Sequence, residues 1–293
     1  MAIVRTPEPR FVDLPDYPFE SHYVQLDDTR MHYIDEGQGQ PILLLHGDPT
    51  WSYLYRHIVL ALQDDFRIVA PDLIGFGKSD KYTERKAYSF GMHCEKVAAF
   101  IEAVDLREGT LVVHDWGGPI GLWAAVSQEE RFARLVVLNT FLSTGRKRPN
   151  LAFRAWRAFA RYSPIFPVGQ IVQTASVRRL ARAEVQAYDA PFPDRSYKAG
   201  ARVFPLMVPS SRNDPGTSEM RKTFRALRRW EKPALVMFSD KDPILGGLDP
   251  IFRHLIPGTA GQPEITIRNA GHFLQEDKGA EIAEHIDAFM RRT

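Results

Sequence analysis

The sequence predicts an α/β fold, a mostly parallel sheet flanked by helices, with a helical region inserted into it. Two observations carry this. Short apolar runs bounded by turn signals alternate with longer amphipathic stretches through the first half of the chain. That alternation breaks off at about Leu142 and resumes at Ala234. A strand covered on both faces reads as a continuous hydrophobic run, and strands alternating with helices build parallel sheets.

In chain order, Tyr23-Val24-Gln25-Leu26 and Met31-His32-Tyr33-Ile34 flank Asp27-Asp28-Thr29, which predicts an antiparallel hairpin at one sheet edge. Ile42-Leu43-Leu44-Leu45, Arg67-Ile68-Val69-Ala70, Leu111-Val112-Val113 and Leu135-Val136-Val137-Leu138 each predict a buried strand. The stretches 93–103 and 120–127 between them are amphipathic and predict helices. Residues 142–229 contain no convincing strand and many Pro, Arg and aromatic residues, which suggests several helices. Ala234-Leu235-Val236-Met237-Phe238 and Ile265-Thr266-Ile267 then restore the strand pattern. The expected division is a core of residues 1–141 and 230–293 with a helical cap of 142–229.

Bulk properties exclude several classes. The chain of 293 residues is 44% hydrophobic and 25% charged, ordinary values for a globular protein with a sizeable core. A net charge of only +2 lacks the basic footprint of a nucleic-acid binder. Arginines cluster over 146–161 and 221–229, and these read as solvated helix faces. Cys94 is the sole cysteine, so neither an intrachain disulfide nor a thiolate metal cluster can form, and a half-buried structural thiol is expected. No signal-peptide run opens the sequence, and no apolar stretch approaches the roughly 20 residues that span a bilayer. These features predict a cytoplasmic protein without nucleic-acid or membrane partners. Gly75-Phe76-Gly77 lacks the third glycine of a dinucleotide site and reads as a turn after Asp72.

The strongest chemical signal is Val112-Val113-His114-Asp115-Trp116-Gly117-Gly118-Pro119-Ile120-Gly121. A buried strand ends at Asp115, glycines follow, and a helix begins: a nucleophile elbow with Asp where Ser is usual. The glycines fit a sharp turn in which β-carbons have no room. A helix N-terminus beside Asp115 favours its ionised form, although Asp is also a common helix cap. Three further signals follow the same order of chain. Leu45-His46-Gly47-Asp48-Pro49-Thr50 trails the first core strand, where an oxyanion-hole loop belongs. Phe238-Ser239-Asp240-Lys241-Asp242-Pro243 ends the strand after the insertion in acidic residues, and Asn269-Ala270-Gly271-His272-Phe273 places a histidine near the C-terminus. Nucleophile, acid, histidine is the order expected of this hydrolase class.

These runs resemble the α/β-hydrolase superfamily and, within it, the haloalkane dehalogenases. The resemblance rests on His46-Gly47-Asp48-Pro49-Thr50-Trp51-Ser52-Tyr53-Leu54-Tyr55-Arg56, Asp72-Leu73-Ile74-Gly75-Phe76-Gly77-Lys78-Ser79-Asp80, Asp115-Trp116-Gly117-Gly118, Lys241-Asp242-Pro243-Ile244-Leu245-Gly246 and Gly271-His272-Phe273-Leu274-Gln275-Glu276. It covers nearly the whole chain and implies an α/β-hydrolase fold with an eight-stranded sheet. It further implies Asp115 as nucleophile, His272 as base and Asp242 as the acid that holds it. Trp116 and the cap residue Trp156 would bind halide, the backbone N–H groups of Asp48 and Trp116 would form the oxyanion hole, and Phe153, Phe204, Pro205, Val208 and Leu245 would line the substrate pocket. One departure is Asp48, where the family pattern has Glu; only its backbone N–H is needed.

A carboxylate needs no base to attack an sp³ carbon bearing a leaving group, and the departing halide needs hydrogen-bond donors rather than a proton. The resemblance therefore implies a small halogenated aliphatic substrate, halide as product, and no metal or organic cofactor. An epoxide hydrolase shares the Asp–His–acid set and needs acidic donors, for which Tyr162, Tyr188 and Tyr197 are available in the cap. Trp116 and Gly117 stand where a fluoroacetate dehalogenase would carry a carboxylate-binding arginine. A non-catalytic binding protein on the same fold would have no use for Asp115, Asp242 and His272 together.

Overall fold

The computed structural model describes residues 2–146 and 149–293. The predicted hairpin is present as β2 (His22–Leu26) and β3 (Thr29–Glu36), paired antiparallel from His22↔Tyr33 to Leu26↔Thr29. Ahead of it, β1 (Ile3–Val4) pairs with β6 (Lys81–Tyr82), a short ribbon with no counterpart in the sequence reading. The predicted core strands are β4 (Pro41–Leu45), β5 (Arg67–Pro71), β7 (Gly109–Asp115), β8 (Phe132–Thr140), β9 (Ala234–Ser239) and β10 (Ile265–Ile267). They form one eight-stranded sheet in the order β10-β9-β8-β7-β4-β5-β3-β2. Pairing is parallel from β10 through β5 and antiparallel from β5 through β3 to β2.

The continuous apolar runs are explained by their burial. Ile42 to Leu45, Leu111 to Val113 and Leu135 to Leu138 are all fully buried, because helices cover both faces of the sheet. In the core these are α1 (Arg56–Leu62), α2 (Phe90–Ala103) and α3 (Gly117–Ser127). Between β8 and β9 the described residues form helices and no strand: α4 (Leu151–Tyr162), α5 (Val168–Ala175), α6 (Arg182–Asp189), α7 (Ala199–Met207) and α8 (Thr217–Leu227). α9 (Asp249–Leu255) and α10 (Leu274–Arg292) complete the core.

Strand order places the site. β4 lies between β5 and β7, so the chain leaves β4 to one side first and returns on the other. In open parallel sheets the loops diverge at such a switch point and leave a crevice at the carboxyl ends. The loop after β4 carries Asp48 and the last residue of β7 is Asp115, so two positions 67 residues apart in sequence meet there.

Cys94 departs from expectation: it is 2% exposed, not half-buried, and burial pushes its thiol up. It sits on the core-facing side of α2 with Val97 and Ile101, spaced three and seven residues on. Residues 74–79 form turns after Asp72, as expected. No helix among the described residues is long and apolar enough to cross a membrane.

Candidate active site

Asp115 closes β7 with φ of +47°, a left-handed conformation that Asp tolerates better than most residues. The strain, about 1–3 kcal/mol for such a residue, is what turns the side chain out of the sheet as α3 begins. The N-cap of α3 is Trp116, not Asp115, and no side chain caps it. Asp115 is therefore not a structural helix cap. The turn is possible because its neighbours are glycines: a Cβ on Gly47 would lie 2.2 Å from Asp115 Oδ1, and one on Gly118 would lie 1.7 Å from Thr140 Oγ1. That Thr140 hydroxyl, at the end of β8, donates to the Asp115 carbonyl at 2.5 Å and pins the elbow.

Asp115 Oδ1 accepts the backbone N–H of Asp48 at 2.7 Å, and the N–H of Trp116 lies close enough to pull on the carboxylate electrostatically. Its other oxygen, Oδ2, lies 3.7 Å from His272 Nε2, beyond direct hydrogen-bond range. The imidazole is held from behind: Nδ1 lies 2.8 Å from Asp242 Oδ2. Asp242 in turn accepts the N–H groups of Ile244 at 2.8 Å and Leu245 at 3.0 Å through Oδ1, and the Asn139 amide at 3.0 Å through Oδ2. The backbone around His272 is fixed from two sides. Its N–H donates to Ala175 O, at the end of α5, at 2.8 Å, and its carbonyl lies 2.8 Å from His114 Nε2.

Charge follows from this geometry. Burial lifts the Asp115 carboxyl above its ordinary range, against His272 and the two N–H groups that pull it back. Burial also works on Asp242, but the His272 charge and its own hydrogen bonds win and bring it down to about 2. Burial disfavours the His272 cation, and Asp242 outweighs it, so the imidazole is raised above 6.5. Asp48, 6% exposed, has its carboxyl pushed well up by burial and by Asp115, and its Oδ1 has no partner.

A cavity of about 680 Å³ opens from these groups. Of the residues expected at the site, Asp48, Asp115, Trp116, His272, Phe153, Trp156, Pro205, Val208 and Leu245 line it. Asp242 stands behind His272. Phe204 is the exception: it is fully buried and does not line the cavity. Its ring packs edge-on against Trp116 and Phe76, at 5.0 Å from each, and against His93 at 4.6 Å. It supports the wall from behind, because Trp116 takes the inner place. Trp156 is half-buried, stacks on Phe159 and lies tilted against Phe166.

Sequence reasoning missed Phe141, Ile171, Leu248, Ile251, Phe252 and Phe273 in the lining, and Asn139 and Thr140 behind it. Asn139 and Thr140 end a buried strand with polar residues, a signal that was open to reading. The arginine clusters are also more than solvated helix faces, since Arg146 and Arg228 line the cavity. None of the three cap tyrosines does: Tyr162 is exposed, Tyr188 is buried against Glu276, and Tyr197 turns its hydroxyl to the Arg5 carbonyl. Among the described residues, His57, Glu184 and Glu276 could meet a metal ion, with ligand atoms within 4.8 Å of one another. Both carboxylates there are already bound by Arg56 and Arg178.

A strand–Asp115–helix elbow at the switch point, with an imidazole and its carboxylate on later loops, defines an α/β hydrolase, and the profile of the alpha/beta hydrolase fold matches residues 40–279. A haloalkane dehalogenase of Mycolicibacterium paratuberculosis is 52% identical, over 98% of this chain and 97% of that protein. One from Psychrobacter cryohalolentis is 45% identical over 99% and 98%. The solved structure of haloalkane dehalogenase DpaA from Paraglaciecola agarilytica superposes with a TM-score of 0.91 at 37% identity, covering 97% of each chain. The chain belongs to the haloalkane dehalogenases.

Proposed function

We propose that this enzyme hydrolyses haloalkanes to alcohol, halide and a proton, with Asp115, His272 and Asp242 as its catalytic groups. The supporting observation is the division of labour between the oxygens of Asp115. Oδ1 accepts the backbone N–H of Asp48, while Oδ2 is left without a direct bond, 3.7 Å from His272 Nε2, on a residue that lines the cavity. Oδ2 attacks the carbon bearing the halogen in line, the carbon–halogen bond breaks, and an alkyl ester forms on Asp115. The indole N–H groups of Trp116 and Trp156, both in the cavity lining, stabilise the departing halide; indole is a donor only and cannot repel an anion with a lone pair.

His272 then takes a proton from water as that water adds to Asp115 Cγ. The negative charge develops on Oδ1, which accepts the Asp48 N–H, and the Trp116 N–H is the second donor of the oxyanion hole; one such donor is worth about 3–4 kcal/mol in other hydrolases. Collapse passes the proton from His272 to the alkoxide as alcohol, and the carboxyl left on Asp115, carrying one oxygen from water, gives up its remaining proton to solvent to regenerate the carboxylate. Asp242 keeps His272 in the tautomer that presents Nε2 and stabilises its charged form. Residues 142–229 act as the cap that supplies Trp156 and shields the ester from bulk water. A cytoplasmic location is part of the same proposal.

The epoxide reading lacks its acid donors, since no tyrosine is in the cavity lining. Halide release from 1-bromobutane and 1,2-dibromoethane, with styrene oxide alongside, tests the choice. Bromide release is expected; diol formation from the epoxide without any halide release would reverse it.

A further inference from the structure

The charge of this chain is divided unevenly. Residues 142–229 hold 18 Lys and Arg against 5 Asp and Glu, a net +13, which leaves −11 for the rest of a chain whose total is +2. The excess is brought to the cavity. Arg146, before α4, and Arg228, after α8, are 82 residues apart in sequence, yet both are exposed and both line it. Neither forms a salt bridge among the described residues, and the two residues outside them at this end, Lys147 and Arg148, carry no acid. The Arg228 guanidinium lies 5.8 Å from the ring centre of Phe224, itself a lining residue, which holds that charge at the rim. The other end of the cavity holds the carboxyl groups of Asp48 and Asp115, both largely buried.

The cavity is thus polarised along its depth, acidic where the chemistry occurs and cationic where it meets solvent, with an apolar stretch between. We propose that its preferred substrates are haloalkanes carrying an anionic group at the end remote from the halogen, such as ω-haloalkanoates; this rests on the catalytic reading above. Arg146 and Arg228 hold the anion at the mouth, the Asp115 carboxylate at the floor rejects it, and the halogen therefore enters first. A field of this kind also speeds encounter, by factors of about 10–10³ at low salt.

The test compares bromide release from 1-bromohexane, 6-bromohexanoate and (6-bromohexyl)trimethylammonium, three chains of one length and different terminal charge. At low salt, 6-bromohexanoate should exceed 1-bromohexane in kcat/KM by about tenfold or more, and the cation should fall behind both. Raising ionic strength from about 0.01 M to about 0.1 M shortens the screening length from about 30 Å to about 10 Å and should shrink that lead. The double variant Arg146→Gln/Arg228→Gln should shrink it too, whichever way the absolute rates move. Bromoacetate, too short to keep its charge at the rim, should gain nothing. Equal or slower turnover of 6-bromohexanoate, or a lead untouched by both salt and the double variant, overturns the proposal while leaving the dehalogenase reading in place. Silence on all three substrates removes the dehalogenase reading, and this inference with it.

Discussion

Asp115 must be charged in a place that penalises charge. Two backbone N–H groups and His272 oppose the cost of burial without cancelling it, so the carboxyl stays above its ordinary range. The alkylation step uses the ionised form, and its rate should fall as pH drops through that raised value. Ester hydrolysis uses neutral His272, whose pKa is raised above 6.5 because Asp242 outweighs burial. Steady-state turnover should therefore lose activity toward acid with a midpoint above pH 6.5, while single-turnover halide release persists to lower pH. A turnover midpoint at or below 6.5 would contradict the pairing of His272 with Asp242. Asp242→Asn should move that limb toward acid and slow turnover by up to about 10⁴-fold, since the amide stabilises the wrong tautomer. Asp115, His272, Asp242 and Trp116 were legible because each stands in a local run with its own signature. Asn139 stood out only as a polar end to a buried strand; its partner was not legible, since its amide reaches Asp242 across 103 residues of sequence. Phe204 misled because an aromatic on a cap helix reads alike whether it faces a cavity or backs one.

The elbow works as a unit of two loops, and its tolerances are small. Gly47→Ala would drive a methyl group into Asp115 Oδ1. It should cost about 1–3 kcal/mol of stability and most of the halide-release activity, measured by urea unfolding and bromide assay. A second element-level device explains motif residues that take no part in chemistry. Arg56, on α1, donates to Glu184 of α6 at 2.8 Å and to Glu276 of α10 at 2.9 Å. Arg178 joins the same carboxylates, and Tyr188 adds its hydroxyl to Glu276. This buried network ties α6 to α1 and α10, just beyond the His272 loop. Glu276→Gln leaves two guanidinium groups short of a countercharge and should cost about 3–5 kcal/mol by urea unfolding. An unchanged midpoint would show that the network carries no net energy. Arg56 and Glu276 were visible in the sequence as parts of the 46–56 and 271–276 runs. Their partnership was not, because an ion pair 220 residues apart leaves no local pattern.

For the molecule as a whole, the sheet was legible because parallel strands covered on both faces must be continuously apolar, and β4, β5, β7, β8 and β9 are. Their lateral order was not, since hydrophobic runs do not say which neighbours pair. The helices described between β8 and β9 showed in the sequence as a break in that rhythm, whereas the shape of the cavity depends on side chains from α4, α5, α7 and α8 together. All of the chemistry proposed here requires one event, transfer of the alkyl group to Asp115 followed by release through His272. His272→Phe removes the base and leaves the nucleophile, so the first step should proceed and the second should stall. Intact-protein mass after exposure of that variant to 1-bromobutane tests this most directly. The account predicts a gain of one butyl group less a hydrogen, abolished when Asp115→Asn is added. An unmodified mass, or an adduct that survives the loss of Asp115, would contradict it.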